Sequence, residues 1–146
     1  MKDAIEKASE IIRGRSAASP TFGENNDHYC VLAQEDVDGL LTASVITASK
    51  SDGIKWINFC TGIGGNKVKR IARDNRAAVC FESNSYSITL KGHLEILTDE
   101  EVKRENWYSG IEEHFSGPDD PNYCILKFTT EKYSLFVDWE EAVGNI

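Results

Sequence analysis

The sequence predicts a mainly β fold of the α+β class, in which an antiparallel sheet closes into a barrel and helices flank it. Short runs rich in Val, Ile, Thr and Phe recur along the chain and are separated by tight turns. Strands joined by such turns pair antiparallel, and closing the sheet removes its exposed edges. Along the 146 residues the pattern gives about six or seven strands and three helices. We expect one domain over residues 1–146.

The N-terminal segment is predicted to form an amphipathic helix over residues 1–14. Its apolar residues recur at helical spacing on one face, and Gly14 ends the pattern. Charged residues throughout the segment distinguish it from a secretion signal. A polar stretch follows, in which Ser19-Pro20 and residues 24–27 indicate turns. The sheet is therefore expected to begin near residue 28.

The predicted strands are β-prone runs bounded by turn residues. They cover residues 28–34, 40–49, 55–60, 77–82, 86–97, 123–130 and 133–139. Asp38-Gly39 indicates a hairpin between the first two, and a tight turn near Glu131 is expected between the last two. Gly92, in the middle of the longest run, indicates a bulge or a sharp bend.

Two further helices are predicted between strands. One covers residues 66–75. The other begins at Thr98, because Thr98 and Glu101 form a capping box, and it extends far enough to carry Trp107 and Ile111. Both are expected on the outside of the barrel.

The composition excludes several classes of protein. The net charge of −8 speaks against nucleic acid as a partner, and no apolar run approaches the ~20 residues of a membrane helix. The four cysteines are far apart and form no C-x-x-C pair, so neither a zinc site nor a redox dithiol is indicated. The three histidines lack metal-binding spacing. We therefore expect a cytoplasmic protein with buried free thiols and no metal site.

The functional prediction depends on residues 56–71, which are predicted as a strand, a glycine-rich turn at residues 61–65 and the start of a helix. Glycine admits left-handed backbone angles and a close approach of a ligand, and Asn66 is expected to cap the helix. Free amides at a helix start favour an anion, and Lys67 and Arg70 add positive charge there. The segment predicts a site for the phosphate of a bound cofactor.

A plain strand–turn–helix corner with a solvated basic helix accounts for the same pattern. Two common phosphate motifs do not fit it. The phosphate-binding loop requires Ser or Thr after its lysine, where this chain has Val68. The dinucleotide-binding motif requires a third glycine, where it has Lys67. By pattern alone, the phosphate site and the plain corner both remain open.

Three blocks of sequence together resemble a known family. The first is Asp38-Gly39 with the run 40–49, and the second is residues 59–71. The third begins with the run 87–97 and ends in the segment Gly117-Pro118-Asp119-Asp120-Pro121-Asn122-Tyr123. In this order and at these separations they resemble the pyridoxamine 5′-phosphate oxidase-like family of split barrels, and within it the branch of small general stress proteins.

The resemblance implies a split barrel of about six strands that forms a homodimer, with FMN or another flavin bound in equivalent clefts between the subunits. Thr61 and Lys67 match residues that contact the phosphate, and Asn66 stands where many members have Ser or Arg. The backbone of residues 44–46 would run beside the isoalloxazine ring, and Ser87 would approach it from the partner subunit. The expected cofactor-binding residues are Ser44, Val45, Ile46, Cys60, Thr61, Asn66, Lys67, Ser87 and, at the border of the ring, Trp139.

The implied function is that of an FMN-dependent oxidoreductase or flavin reductase. Hydride would pass between the flavin and NADH, NADPH or a small organic molecule, while the protein supplies position and electrostatics. Members usually carry an Arg where this chain has Ser44, and one lost charge-assisted hydrogen bond costs about 1.5–3 kcal/mol. Lys50 or Arg70 would partly replace it. The residues with which pyridoxamine phosphate oxidases bind their substrate are not evident near the C-terminus, so that substrate is not expected.

Two alternatives belong to other classes of protein. The first is a non-catalytic stress protein that binds a flavin or another small ligand through a weakened phosphate site, which the absence of the Arg at Ser44 favours. The second is a β-barrel interaction module without a cofactor. Its cleft would be filled by side chains.

Overall fold

Eight strands pair into one antiparallel sheet in the computed structural model, which describes residues 1–24 and 28–146. The elements in chain order are helix α1 (Ala4–Gly14), strands β1 (Cys30–Glu35), β2 (Leu41–Ile46), β3 (Ala48–Ser51) and β4 (Trp56–Gly62), helix α2 (Asn66–Arg73), strands β5 (Arg76–Ser83) and β6 (Tyr86–Leu97), helix α3 (Glu100–Glu105), a short 3₁₀-helix (Ile111–Glu113), and strands β7 (Tyr123–Val137) and β8 (Glu140–Asn145). The predicted mainly β fold with flanking helices is confirmed. Residues 25–27, part of a predicted turn, lie outside the described residues.

The sheet closes into a barrel because one continuous stretch of chain supplies both of its ends. The strand order is β2-β1-β5-β6-β7-β4-β3, with β8 beside β7. β2 and β3, at opposite ends of this order, are consecutive in the chain and separated only by Thr47. The single strand predicted over residues 40–49 is therefore wrong: the chain bends at Thr47 and pairs with β1 before the bend and with β4 after it. No glycine or proline marks this bend in the sequence.

The barrel is split beside β2. β3 pairs with β4 as far as Ala48 and Phe59. The same register, continued, would set Ile46 opposite Thr61, but β2 pairs with β1 alone. A gap thus separates β2 from the last residues of β4, and the edge of β2 on that side carries no ladder within the described residues. The expected split barrel is confirmed, and its split lies next to the start of α2.

Large apolar side chains fill the interior of the barrel. Phe59, Phe81 and Phe128 are almost completely buried there, and Ile12 of α1 packs into the same cluster. Helix α2 differs, because it buries no residue fully and only half-buried side chains such as Val68 reach the core. It contacts β1 and β6 from outside. The first turn of α2 therefore remains at the surface, where a ligand can reach it.

The longest strand, β7, changes partners along its length. Its first half pairs with β4 and its second half with β8, while β6 pairs with it throughout. A register shift at Lys91 and Gly92 leaves Glu131 unpaired between two paired residues. A Cβ at Gly92 would lie 1.9 Å from the carbonyl oxygen of Thr129. The predicted bulge at Gly92 is confirmed, and the turn predicted near Glu131 is wrong, because the polar residues there belong to this bulge.

Strand β8 was not predicted. The turn that leads into it consists of Asp138 and Trp139, both with left-handed backbone angles (φ 51° and 67°). Two-residue hairpin turns of this kind usually carry Asn-Gly or Asp-Gly. Because this turn has a Trp instead of a Gly, the sequence pattern gave no hairpin signal.

Helix α3 is shorter than predicted, and it begins one residue later. Its cap is Asp99, whose Oδ1 accepts hydrogen bonds from the amides of Glu101 and Val102. The predicted Thr98 cap is wrong, in line with the stronger capping preference for Asp than for Thr. Trp107 consequently lies in the loop after the helix. None of the described helices is long and apolar enough to span a bilayer.

Candidate ligand-binding site

The glycine-rich turn between β4 and α2 packs tightly against a neighbouring loop. None of its three glycines has a left-handed backbone angle, so the left-handed angles predicted for them are wrong. Close approach is the reason for two of them. A Cβ on Gly62 would lie 3.0 Å from Asn122 Nδ2, and one on Gly65 would lie 3.2 Å from the Gly62 carbonyl oxygen. The glycines allow the turn to lie flat against Asn122.

The amides of the turn itself are already engaged within the protein. Ile63 donates to the carbonyl of Asn122 (2.7 Å), Gly64 to Asn122 Oδ1 (3.2 Å) and Gly65 to the carbonyl of Gly62 (3.0 Å). Within the described residues, by contrast, no acceptor bonds the amides of residues 66–68 at the start of α2. These helix amides, rather than those of the turn, are available to an anion.

The first turn of α2 also contains a lysine without a counter-ion among the described residues, Lys67. Gly65 is the N-cap and no side chain caps the helix, so the predicted capping by Asn66 is wrong. Burial, and then the neighbouring Arg70, lower the pKa of Lys67. Within the described residues no carboxylate lies within 4.0 Å of its Nζ. The carbonyl of Lys67 accepts a 3.1 Å hydrogen bond from Gln34 of β1, which is 4% exposed. Lys67 is thus a partly desolvated cation on an anchored turn.

Two other basic residues of α2 attach the helix to the β1–β2 hairpin. Arg70 Nε lies 3.2 Å from Asp36 Oδ1, and Arg73 Nη2 lies 3.6 Å from Glu35 Oε1. Arg73 also donates to the carbonyl of Val37. The Arg70 guanidinium, which the sequence suggested as a partial replacement for the Arg absent at position 44, is thus already paired with Asp36.

The residues around the split come from β2, β4 and α2. Helix α2 starts shortly after β4, and its first turn accepts a hydrogen bond from Gln34 of β1. The open edge of β2 presents the backbone of residues 44–46 on one side. Cys60 and Thr61 close to the end of β4 lie on the other side, followed by the first turn of α2. All predicted cofactor-binding residues except Ser87 and Trp139 therefore flank the split.

A cleft of about 290 Å³ opens beside the split. Its walls include Thr47, Cys60, Thr61, Tyr108 and His114. Burial raises the pKa of the Cys60 thiol to about 11 and the pKa of Tyr108 to about 12, so both groups are neutral near pH 7. Small-molecule pockets usually measure about 300–1,000 Å³. The cleft therefore lies at the lower limit of this range.

The sequence matches a family model over most of its length. The model describes proteins like pyridoxamine 5′-phosphate oxidase, and residues 7–143 match it. The chain belongs to the pyridoxamine 5′-phosphate oxidase-like family. The resemblance that the sequence blocks indicated is thereby confirmed. Among curated protein sequences, none matches this chain.

Solved structures share the fold of this family member. A Clostridium acetobutylicum protein related to general stress protein 26 of B. subtilis is 24% identical, with a TM-score of 0.72 over 82% of this chain and 86% of its own. General stress protein 26 of Bacillus anthracis is 16% identical, with a TM-score of 0.71 over 82% and 89%. A haem-binding protein from Mycobacterium smegmatis is 14% identical, with a TM-score of 0.73 over 99% of this chain and 59% of its own. These likenesses establish the fold and not the ligand.

Two of the residues expected from the family lie away from the split in the single chain. Ser87 lies on β6 opposite Phe136 of β7, and the ring of Phe136 lies 5.7 Å from that of Trp139. Trp139 is 90% exposed. β6 is three strands from β2, or about 14 Å along the curved sheet. Ser87 and Trp139 thus adjoin each other, but not the other predicted residues of their own chain.

Position 44, where family members usually have an Arg, lies on β2 opposite Leu32. Lys50, which the sequence suggested as a replacement, lines a separate cleft with Arg13 and Trp56. Ser44 thus carries no charge, and Lys50 lines a different cleft from the one beside the split.

Sequence reasoning missed the residues that come from loops far along the chain. Tyr108 and His114 reach the cleft, and Asn122 contacts the glycine-rich turn. The segment Gly117–Tyr123 carried a signal, because it is among the blocks that indicated the family. Nothing in its own residues indicated that it folds back onto the end of β4.

Proposed function

We propose that this chain is an FMN-binding flavoprotein with oxidoreductase or flavin reductase activity. One observation carries the proposal: in a member of the pyridoxamine 5′-phosphate oxidase-like family, the first turn of α2 contains both a lysine without a counter-ion among the described residues, Lys67, and the free amides of residues 66–68. A phosphate monoester supplies the oxygens and the negative charge that such donors require. The net charge of −8 repels anions elsewhere on the surface, so the local charge at α2 makes this position selective.

The groups around the split correspond to the two ends of a flavin mononucleotide, its phosphate and its ring. Lys67, the helix amides and the hydroxyl of Thr61 would hold the phosphate. The open edge of β2 at residues 44–46 would offer backbone groups to the polar edge of the ring. When bound, the flavin supplies the capacity to accept and donate hydride, and no titratable side chain is required for that chemistry. The protein's part is to bind, orient and partly desolvate the cofactor.

We also propose that the active unit is a homodimer. The outer face of the sheet carries exposed apolar side chains, among them Leu41 (86% exposed), Val45 and Val143. A larger cleft of about 410 Å³ opens on the same face beside Leu41. A second copy packed on this face by two-fold symmetry would cover these side chains. It would also bring the partner's Ser87 and the partner's Trp139 toward the split and complete the small cleft.

The cofactor proposal is tested by titrating the purified protein with FMN and by comparing matched lysine variants. Lys67→Gln is expected to raise the Kd of FMN by about ten- to a hundredfold, because one charge-assisted hydrogen bond is lost. Lys69→Gln is the control, since Lys69 lies on the exposed side of the same helix. A protein that is colourless and gains no thermal stability from FMN, or one that shows a haem spectrum, would contradict the proposal.

A second candidate is a non-catalytic flavin-binding or small-ligand-binding protein. The Ser44 position favours it, because one fewer cation on the phosphate weakens the hold on FMN. Anaerobic mixing of the FMN-loaded protein with NADH or NADPH distinguishes the two candidates. Rapid bleaching of the flavin supports the reductase, and a flavin that stays oxidised supports the carrier.

A further inference from the structure

We infer that Asn122 is a positioning residue for the phosphate site, an inference that rests on the proposed function. Asn122 lies in the segment Gly117–Tyr123, which has no part in the function described so far. Its hydrogen bonds go to the turn that precedes α2 and not to α2 itself. It therefore acts on a ligand only through the turn, by fixing where the helix starts.

Asn122 holds the turn at two consecutive amides. Its carbonyl accepts from Ile63 (2.7 Å) and its Oδ1 accepts from Gly64 (3.2 Å). Its Nδ2 lies 3.0 Å from the position that a Cβ on Gly62 would take. A side chain at position 62 would therefore displace the Asn122 amide by a few tenths of an ångström from the backbone of the turn.

Asn122 is itself held by a carboxylate. Asp120 Oδ1 accepts from the amide of Asn122 (2.9 Å), and Oδ2 accepts from the amide of Ser116 (3.0 Å). The backbone hydrogen bonds from Ser116 and Asn122 lower the pKa of Asp120, so it stays ionised. The carbonyl of Asp120 accepts from Nζ of the buried Lys103 (3.1 Å), and the hydroxyl of Tyr123 donates to the carbonyl of Lys103 (2.7 Å). The loop around Asn122 is thus anchored to the buried end of α3.

This arrangement divides the backbone donors near the split into two sets. Asn122 and Gly62 occupy the amides of residues 63–65, which leaves those of residues 66–68 for an anion. Loss of the Asn122 side chain would free the Gly64 amide and remove one of the two hydrogen bonds that Asn122 makes with the turn. The helix start would then move relative to β2. Because the phosphate contacts lie at the helix start and the ring contacts on β2, the phosphate should be affected first.

The test compares FMN with riboflavin, which has the same ring and no phosphate. Asn122→Ala is expected to raise the Kd of FMN by about tenfold, the effect of losing one charge-assisted contact between the phosphate and the start of α2. The Kd of riboflavin should stay unchanged. Gly62→Ala acts on the same contact from the other side and should give the same selective loss. Asp119→Ala is the control, because the exposed Asp119 has only a 4.0 Å contact with Arg104. Circular dichroism establishes that each variant is folded.

The outcomes distinguish failure of the positioning role of Asn122 from failure of the proposed flavin-binding function. If the unaltered protein binds FMN and both variants bind it equally well while folded, the positioning role is overturned and the proposed function stands. A parallel loss of FMN and riboflavin affinity also overturns the positioning role, because it indicates a general structural effect. If the unaltered protein binds neither FMN nor riboflavin, the proposed function fails and the inference fails with it. A loss confined to FMN in both variants supports the inference.

Discussion

At the scale of single residues, the site depends on an uncompensated charge. Arg70 and Arg73 on the same helix pair with Asp36 and Glu35, whereas Lys67 pairs with no carboxylate in the described chain. A half-buried ammonium without a partner is unfavourable in the ligand-free protein, and an anion relieves that cost. Lys67 is therefore the residue whose protonation should govern phosphate binding.

A pH dependence follows from the lowered pKa of Lys67. The ammonium is present below this pKa, so phosphate affinity is complete there and falls as the pH rises through it, before the ordinary lysine value of 10.5 is reached. For the ligand-free protein the sign is opposite, because the unfolded chain keeps the proton longer and the free energy of unfolding rises with pH in this window. FMN titrations at increasing pH measure the fall, with riboflavin as the control for titration of the ring.

The matched variant for this prediction is Lys67→Arg, because a guanidinium stays charged up to about pH 12. Its ratio of FMN to riboflavin affinity should stay constant over the alkaline range in which that of the unaltered protein falls. An equal fall of this affinity ratio in both proteins would show that a group other than Lys67 causes the loss of FMN affinity at alkaline pH.

At the scale of elements, the bent strand and the short helix create the site together. The chain bends at Thr47, between β2 and β3, and leaves the split, while α2 begins after β4 and is bonded to β1 through Gln34. The bulge at Gly92 is a comparable device on the opposite side of the barrel, because it lets β7 continue from β4 to β8 without a break. Both departures from regular pairing determine where the sheet curves.

The bulge gives a stability prediction. Gly92→Ala places a Cβ 1.9 Å from the carbonyl oxygen of Thr129, so the backbone of β6 or β7 must move. We expect a loss of about 1–3 kcal/mol or more in the free energy of unfolding, measured by urea denaturation. Gly117→Ala is the control, since a Cβ there meets no atom within 4 Å, and it should change stability by less than about 0.5 kcal/mol. Equal effects of the two substitutions would contradict the close approach at Gly92.

The elements also show what the sequence could and could not predict. β6 was predicted with its observed bounds, because regular alternation around Gly92 is a local signal. The bend at Thr47 and the continuation of β7 through Glu131 were missed, since each depends on which strand lies opposite. The same applies to the site. Lys67 follows a recognisable glycine-rich turn, whereas the role of Asn122 arises from a contact between residues about 60 positions apart.

At the scale of the whole molecule, the proposed site belongs to two chains. Ser87 lies on β6, three strands or about 14 Å from β2 of its own chain. The left-handed angle of Trp139 is a costly position for an exposed aromatic residue. Such strain at an exposed residue suggests that Trp139 has a partner in the assembled protein. The exposed apolar face at Leu41 and Val143 provides the surface on which a second copy would bring it there.

Mixing two defective variants tests this composite site. Lys67→Gln removes the phosphate contact contributed by one subunit, and Trp139→Ala removes the ring contact contributed by the other. Each variant alone should bind FMN weakly. When they are unfolded and refolded together, a mixed dimer has one site with both defects and one site with neither. Random pairing then restores tight binding to about a quarter of all sites, which an FMN titration with two classes of site would resolve.

The control for this experiment is a substitution that prevents dimer formation without a further change at Lys67 or Trp139. Adding Leu41→Asp to both variants puts a carboxylate on the exposed apolar face, so the proteins should sediment as monomers and recover no tight sites. Ile5→Asp, on the outside of α1, should leave both the dimer and the recovery unchanged. Only a shared interface can combine an intact half-site from each chain. If tight FMN binding is regained in the monomeric Leu41→Asp proteins, or is not regained in verified mixed dimers, Lys67 and Trp139 do not form one site across the interface.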